Sequence, residues 1–179
     1  MAGANDDLKA LVRTIPDFPK AGIQFRDVTT LLLDARGFGM AVERLAGTVG
    51  ERPDLVAAID ARGFIVGAAL ARELGSGLLL IRKDGKLPGA TIAEDYALEY
   101  GSERLAMHVD ACAPGAKVLI ADDLIATGGT ALAAARLVRR AGGEVIGARF
   151  LIDLPDLGGA EALRAAAVNV VSLMEFEGD

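Results

Sequence analysis

At 179 residues the chain makes one domain around one core; it is 52% apolar, rich in Ala, Val and Leu, and has no Trp. A net charge of −6 argues against a dedicated nucleic-acid binder, and the chain shows neither a long uninterrupted apolar segment nor a signal-peptide pattern, so a cytoplasmic protein off the membrane is expected. A single Cys, Cys112, excludes an internal disulfide and any Cys-based metal cluster, and a single His, His108, excludes sites that need two.

Asp6 and Asp7 cap a predicted first helix on which Leu8, Leu11, Val12 and Ile15 share a face, ended by Pro16. Asp17 to Thr30, DFPKAGIQFRDVTT, has no clean period. It reads either as a structured loop with an Arg26–Asp27 surface pair or as a small flap whose apolar residues cover a planar ligand. Asp34 caps a second helix with Phe38, Val42, Leu45 and Val49 inward. Leu55 to Ile59 is a buried strand that runs through Asp60-Ala61-Arg62-Gly63-Phe64 into a helix, Ile65 to Leu74. There Arg62 and the backbone at Gly63 are placed to grip an anion, or else to sit on the surface and ease a turn.

Gly77 to Ile81 is the next strand. Arg82 to Gly101, RKDGKLPGATIAEDYALEYG, is too long for an ordinary connection in a compact domain. Its basic head, Arg82, Lys83 and Lys86, suits a polyanion, although a solvated β-hairpin would carry similar charges. Leu105, Met107 and Val109 alternate with Ala106 and His108, as on a half-exposed strand, which makes His108 a structural or surface residue. Cys112, in the turn DACAPG, reads as a passive thiol.

The most informative stretch is Val118 to Thr130, VLIADDLIATGGT. A short apolar run fit for a strand buried on both faces leads to Asp122 and Asp123, then to Thr127-Gly128-Gly129-Thr130, and a helix from Ala131 to Ala141 follows. Ligands of open α/β sheets sit beyond the carboxyl ends of the strands. Free N–H groups and the positive end of a helix favour a phosphate there, and glycines let the backbone come close. The two aspartates would repel that phosphate but suit the hydroxyls of a ribose. The stretch therefore reads as a ribose-5-phosphate site; the plain alternative is a turn whose aspartates cap the helix. Further on come an outward face of Arg136, Arg139 and Arg140, a strand from Val145 to Ile152, the turn Asp153 to Gly159, a short Ala-rich helix and a last strand, Val168 to Leu173.

The string of apolar strand, Asp-Asp, apolar link and Ala-Thr-Gly-Gly-Thr resembles the phosphoribosyl-diphosphate signature of the type I phosphoribosyltransferases. Three further segments resemble the adenine-specific members of that family. FPKAGIQFRD is similar to their base-covering hood, RKDGKLPG followed by LEYG to their mobile catalytic loop, and Leu154, in the turn after the strand, to the leucine that packs on adenine.

The resemblance covers about Asp17 to Phe176. It implies an α/β fold, a mostly parallel twisted sheet flanked by helices, in a single domain over residues 1–179. The hood would lie within about 5–30 and the catalytic loop within about 82–104. Its implied site has catalytic Glu99 and Tyr100, and phosphoribose contacts from Asp122, Asp123, Ala126, Thr127, Gly128, Gly129 and Thr130. Diphosphate contacts would come from Ala61, Arg62, Arg82, Lys83 and Lys86, the Ala61-Arg62 dipeptide often acting through a cis peptide. Adenine contacts would come from Gln24, Phe25, Arg26 and Leu154. The family more often has an aliphatic residue where Gln24 stands, a change that a backbone contact to the base would survive.

The implied reaction converts adenine and phosphoribosyl diphosphate to AMP and diphosphate in purine salvage. Mg²⁺ would be bound mainly through the substrate with no direct protein ligand, and the chain would form a homodimer. Rivals are a transferase for another base and a phosphoribosyl-diphosphate sensor that binds nucleic acid; the acidic balance weighs against the second.

Overall fold

The computed structural model describes residues 4–97 and 102–178. The N-terminal part is a short helix and a ribbon. α1 (Asp6–Lys9) is followed by β1 (Arg13–Pro16), which pairs antiparallel with β2 (Gln24–Asp27), Ile15 facing Phe25. The single helix expected from Leu8 to Ile15 is thus corrected: it stops at Lys9, and Ile15 lies on a strand. Leu8 and Val12 are buried in both readings, so the spacing of apolar residues did not decide between them. The Asp17–Thr30 segment likewise contains a strand, Gln24–Asp27, and Asp27 pairs with Arg13 across the ribbon (2.5 Å) rather than with Arg26.

α2 (Thr29–Leu33) leads to α3 (Ala35–Gly47), whose first turn is capped by Asp34 accepting from the Gly37 N–H at 2.7 Å. The main sheet is then laid down by β3 (Leu55–Ile59), α4 (Gly63–Leu74), β4 (Gly77–Lys83), β5 (Thr91–Ala97), β6 (Ser102–His108), β7 (Lys117–Ile125), α5 (Gly129–Arg140), β8 (Glu144–Asp153), α6 (Gly159–Ala165) and β9 (Val170–Glu175). The strand order is β5-β6-β4-β3-β7-β8-β9. Neighbours from β4 to β9 run parallel, whereas β6 is antiparallel to both β4 and β5. This is the expected mostly parallel α/β sheet with one antiparallel edge.

Two apolar layers sandwich the sheet. On one face Ile59, Ile81, Leu105, Ile120 and Phe150 pack beneath α5 and α6. On the other Val56, Leu70, Leu119 and Leu151 pack with α3, α4 and α1. α4 can press onto β3 and β7 because Gly67 lies against Ala58 and Ala121. The seven apolar residues Val118–Ala121, Ala148, Phe150 and Ile152 are almost wholly buried, as parallel strands covered on both faces require.

One alternative is decided and one expectation changes. The long charged stretch after Ile81 takes up the hairpin alternative over its described residues: β4 extends to Lys83, and β5 and β6 pair antiparallel in register from Thr91–His108 to Ala97–Ser102. β6 is not half-exposed, since Leu105, Ala106 and Met107 are all buried. His108 meets the Pro88 carbonyl at 2.8 Å, a structural contact. Cys112 is buried, and burial raises its thiol pKa, which suits a passive role.

Candidate active site

The strand order reverses around β3 and β7. From β3 the chain steps through α4 to β4 on one side, and from β7 through α5 to β8 on the other. Their C-terminal loops therefore diverge and leave a crevice between them, where open α/β sheets bind ligands. A cavity of about 460 Å³ lies there, walled by Asp60–Arg62 after β3 and by Asp122–Ala131, the end of β7 and the passage into α5.

The second wall is a strand-to-helix passage. β7 carries Asp122 and Asp123 as its sixth and seventh residues, so they alternate between its faces. Gly128 then takes φ 81°, a left-handed conformation that turns the backbone into α5. A Cβ on Gly128 would come within 2.8 Å of the Gly159 carbonyl. Thus the phosphate-type loop is pinned from behind by the start of α6: the Gly159 N–H donates to the Ala126 carbonyl at 2.9 Å. No side chain caps α5. Its first N–H groups and helix dipole therefore face the cavity beside the Thr127 and Thr130 hydroxyls, a cradle for a phosphate.

The acidic pair is not two equal groups. Asp122 accepts from the Asp123 N–H at 2.8 Å, and its carboxylate lies where a Cβ on Gly63 would approach to 2.6 Å. Desolvation, and then the charge of Asp123, pushes its carboxyl well above the ordinary carboxylate range. Asp123, also buried, makes an ion pair with the Arg62 guanidinium, which is about half exposed. The aspartates do not cap α5; that alternative is excluded.

Cations cluster on the other side, each already matched with a carboxylate. Arg62 pairs with Asp123 and lies 5.5 Å from the centre of the Phe25 ring. Arg82 pairs with Asp60 at 3.1 Å and donates to the Lys86 carbonyl at 3.0 Å. Lys83 reaches Glu103 at 2.9 Å. The peptide bond between Asp60 and Ala61 is cis, one bond ahead of the Ala61-Arg62 dipeptide.

Of the residues expected from the sequence, the cavity brings together Ala61, Arg62, Lys83, Asp122, Asp123, Ala126, Thr127, Gly128, Gly129 and Thr130. Arg82 and Lys86 are not among the residues that line it. Gln24, Phe25 and Arg26 form the ribbon nearby, Phe25 touching the site through Arg62. Arg26 instead donates to Thr14 and to the Glu177 carbonyl and stacks 4.9 Å over Phe176, which anchors the ribbon to the chain's end. Leu154 follows β8, its N–H bonded to the Ile125 carbonyl at 3.0 Å, so the turn that carries it is tied to the phosphate loop. Glu99 and Tyr100 lie outside the described residues.

The sequence reading missed Asp60, Tyr96 and Glu103 as lining residues. Tyr96 is buried and donates to Glu103 at 2.6 Å; burial first, and then that carboxylate, push its hydroxyl up to about 12. Their juxtaposition depends on cross-strand register, which no local string displays.

Known proteins agree with this geometry. The model of the phosphoribosyl transferase domain matches residues 29–174. A curated adenine phosphoribosyltransferase of Rhodopseudomonas palustris (strain BisB18) is 57% identical over 173 residues, covering 96% of this chain and 87% of the relative. The crystal structure of adenine phosphoribosyltransferase from Thermoanaerobacter pseudethanolicus superposes with a TM-score of 0.91 at 46% identity, over 96% of this chain and 99% of that one. The enzyme from Saccharomyces cerevisiae, solved with an imino-altritol bisphosphate and adenine, gives 0.88 at 32% identity, over 94% and 97%. A domain match across most of the sequence and identity at this level over nearly all of it lead to one conclusion: the chain belongs to the adenine phosphoribosyltransferases of the phosphoribosyltransferase family.

Proposed function

We propose that the chain transfers a 5-phosphoribosyl group from phosphoribosyl diphosphate to adenine, giving AMP and diphosphate, in purine salvage. One observation carries this reading. A single cavity is lined by an uncapped helix start behind Gly128, an acidic pair, and the cations Arg62 and Lys83, the three kinds of group that a 5-phosphate, a ribose and a 1-diphosphate would call for. The base is supported by the relatives: the yeast enzyme is crystallised with adenine and a bisphosphate sugar analogue.

In this reading Thr127, Gly128, Gly129 and Thr130 hold the 5-phosphate, with Ala126 beside them. Asp122 and Asp123 take the ribose hydroxyls, Asp123 exchanging its Arg62 partner for substrate. Ala61, Arg62 and Lys83, joined by Arg82 and Lys86, hold the diphosphate and stabilise the negative charge it gains on leaving. Positive charge builds on the ribose ring at the same moment, and the nearby carboxylates offset it. Phe25, Gln24, Arg26 and Leu154 cover the adenine. Glu99, with Tyr100 beside it, assists proton movement at the imidazole of the base. Closure of the catalytic loop over the site would keep water from the activated ribose.

Among the described residues no three His, Cys, Asp or Glu side chains converge to hold a metal by themselves. The carboxylates beside the cavity are hard oxygen donors that suit Mg²⁺ entering on the substrate's own oxygens. Bound that way, Mg²⁺ supplies further charge neutralisation of the diphosphate.

A homodimer and a cytoplasmic setting complete the proposal. Leu78 and Leu80 alternate with buried Leu79 and Ile81, and they stand exposed on the α4 face of β4; Ile65 of α4 is exposed too. Such an apolar face beside Arg82 suits a second copy. No helix among the described residues is long and apolar enough to cross a membrane.

The test is a base panel. Purified protein, Mg²⁺ and phosphoribosyl diphosphate are mixed with adenine, hypoxanthine, guanine, xanthine or uracil. AMP from adenine alone is expected. Product from another base would overturn the adenine assignment, and none from any base would overturn the transferase reading.

A further inference from the structure

Lys83, Tyr96 and Glu103 come from three strands but stand on one face. β4 and β6 pair Lys83 with Leu105, and β5 and β6 pair Tyr96 with Glu103. Side chains alternate along a strand, so Lys83, Leu105, Glu103 and Tyr96 share one side of the sheet, the side that packs beneath α5. A continuous chain of contacts results. Lys83 Nζ donates to Glu103 Oε1 at 2.9 Å, Tyr96 donates to Glu103 Oε2 at 2.6 Å, and the Tyr96 hydroxyl also meets the side chain of Thr130. All four residues line the cavity.

A carboxylate in a cavity built for phosphates needs a reason, because it repels them. Both Glu103 oxygens are engaged by donors, Lys83 first and Tyr96 second, and these hold its pKa below the ordinary range. Tyr96 is kept protonated by burial and so remains a donor. The hairpin that carries Glu103 is itself fixed to α5, since Arg140 donates to Glu94 and to the Ala93 carbonyl, each at 2.7 Å. Glu103 is thus a fixed point, while Lys83, about half exposed on a long flexible stem, is not fixed without it.

We propose that Glu103 is a positioning residue for substrate binding. It bridges Lys83 to Tyr96, and through Tyr96 to Thr130, so that the Lys83 ammonium is held over the cavity before the diphosphate arrives. An ammonium has three N–H donors, and one given to Glu103 leaves two for the substrate. Ordering a flexible lysine in advance removes part of the entropy cost of gripping the ligand. The inference rests on the phosphoribosyl-diphosphate reading above.

The experiment is a kinetic and binding cycle on the full chain with Glu103→Gln, Lys83→Ala and the double variant. Gln retains the shape and an acceptor for Tyr96 but loses the charge that holds Lys83. The expected result is a rise of about fivefold or more in KM for phosphoribosyl diphosphate, with kcat and the adenine KM within about twofold. Titration of the wild type and Glu103→Gln with Mg²⁺ and phosphoribosyl diphosphate, without adenine, should show the same loss of affinity. In the Lys83→Ala background the Glu103→Gln change should move KM less than about twofold. An equal loss in both backgrounds would make Glu103 merely structural and overturn the proposal. So would an unchanged or lowered KM in the wild-type background. A wild type that binds phosphoribosyl diphosphate yet makes no AMP would overturn the transferase reading alone, because the binding cycle still reads the role of Glu103.

Discussion

The two walls of the cavity solve anion binding differently. The wall after β7 is made of backbone: Gly128 at φ 81°, an uncapped helix start and a Gly159 N–H that braces the loop at Ala126. Nothing there has to let go before a phosphate enters. The wall after β3, with the end of β4, is made of side chains: Arg62 and Lys83 are each engaged by a carboxylate, as is Arg82, which does not line the cavity itself. A diphosphate must share or displace those partners. In the proposed reading, the phosphate end of the substrate would meet a preformed site and the diphosphate end an exchangeable one. Binding at the first should depend on shape, and at the second on charge.

Breaking the preformed wall should have the largest effect. Gly128→Val adds a branched side chain at a left-handed position that already faces the Gly159 carbonyl. Affinity for phosphoribosyl diphosphate and for AMP should both fall about a hundredfold or more, read by titration, since about 3 kcal/mol or more is lost from strain and overlap. Next comes the catalytic glutamate that the family resemblance implies. Glu99→Ala should lower kcat about a hundredfold or more while phosphoribosyl diphosphate still binds, and a large loss of binding instead would make Glu99 structural. On the same wall as Gly128, Thr127→Val removes one hydroxyl and should weaken both ligands about three- to tenfold, equivalent to a lost hydrogen bond of about 1 kcal/mol. If neither affinity moved, the phosphate cradle would be misplaced.

The smallest effect concerns stability and sharpens the contrast between the two aspartates. The native carboxyl of Asp122 binds its proton more tightly than the unfolded one. Folding is therefore penalised as pH rises above the ordinary carboxylate range, and the penalty is absent below it. Asp122→Asn should be more stable than the wild type at pH 7 by about 1 kcal/mol, with the gap closing below about pH 4, in denaturant melts. Asp27 has the opposite sign: Arg13 and then Thr29 lower its pKa to about 2, so its contribution is present above the ordinary carboxylate range and is lost as pH falls toward that value. Asp27→Asn should flatten the acid side of the stability profile.

Much of this was written in local strings. Buried strands such as Val118–Ala121, the Gly-rich turn at Gly128 and the cap at Asp34 each fit within a few residues, so period and spacing reveal them. What needed two distant segments was not readable. Leu8, Leu11 and Val12 satisfy helical spacing, yet pairing with Gln24–Asp27 draws Arg13–Pro16 into a strand. The charges and glycines of Arg82–Gly101 look like a loop, and only the register with β6 makes Thr91–Ala97 a strand and sets Tyr96 opposite Glu103. Similarly, RGF predicts an anion-gripping arginine, but its pairing with Asp123, sixty-one residues along the chain, is a product of the sheet.

The most direct measurement compares two ligands on one variant. Titrate the wild type and Arg62→Ala with ribose 5-phosphate and, with Mg²⁺, with phosphoribosyl diphosphate. The two-wall account predicts that phosphoribosyl diphosphate weakens about tenfold or more, the size of a lost charged hydrogen bond, while ribose 5-phosphate binds as before or more tightly because Asp123 is freed. Equal weakening of both ligands, or of neither, would contradict it.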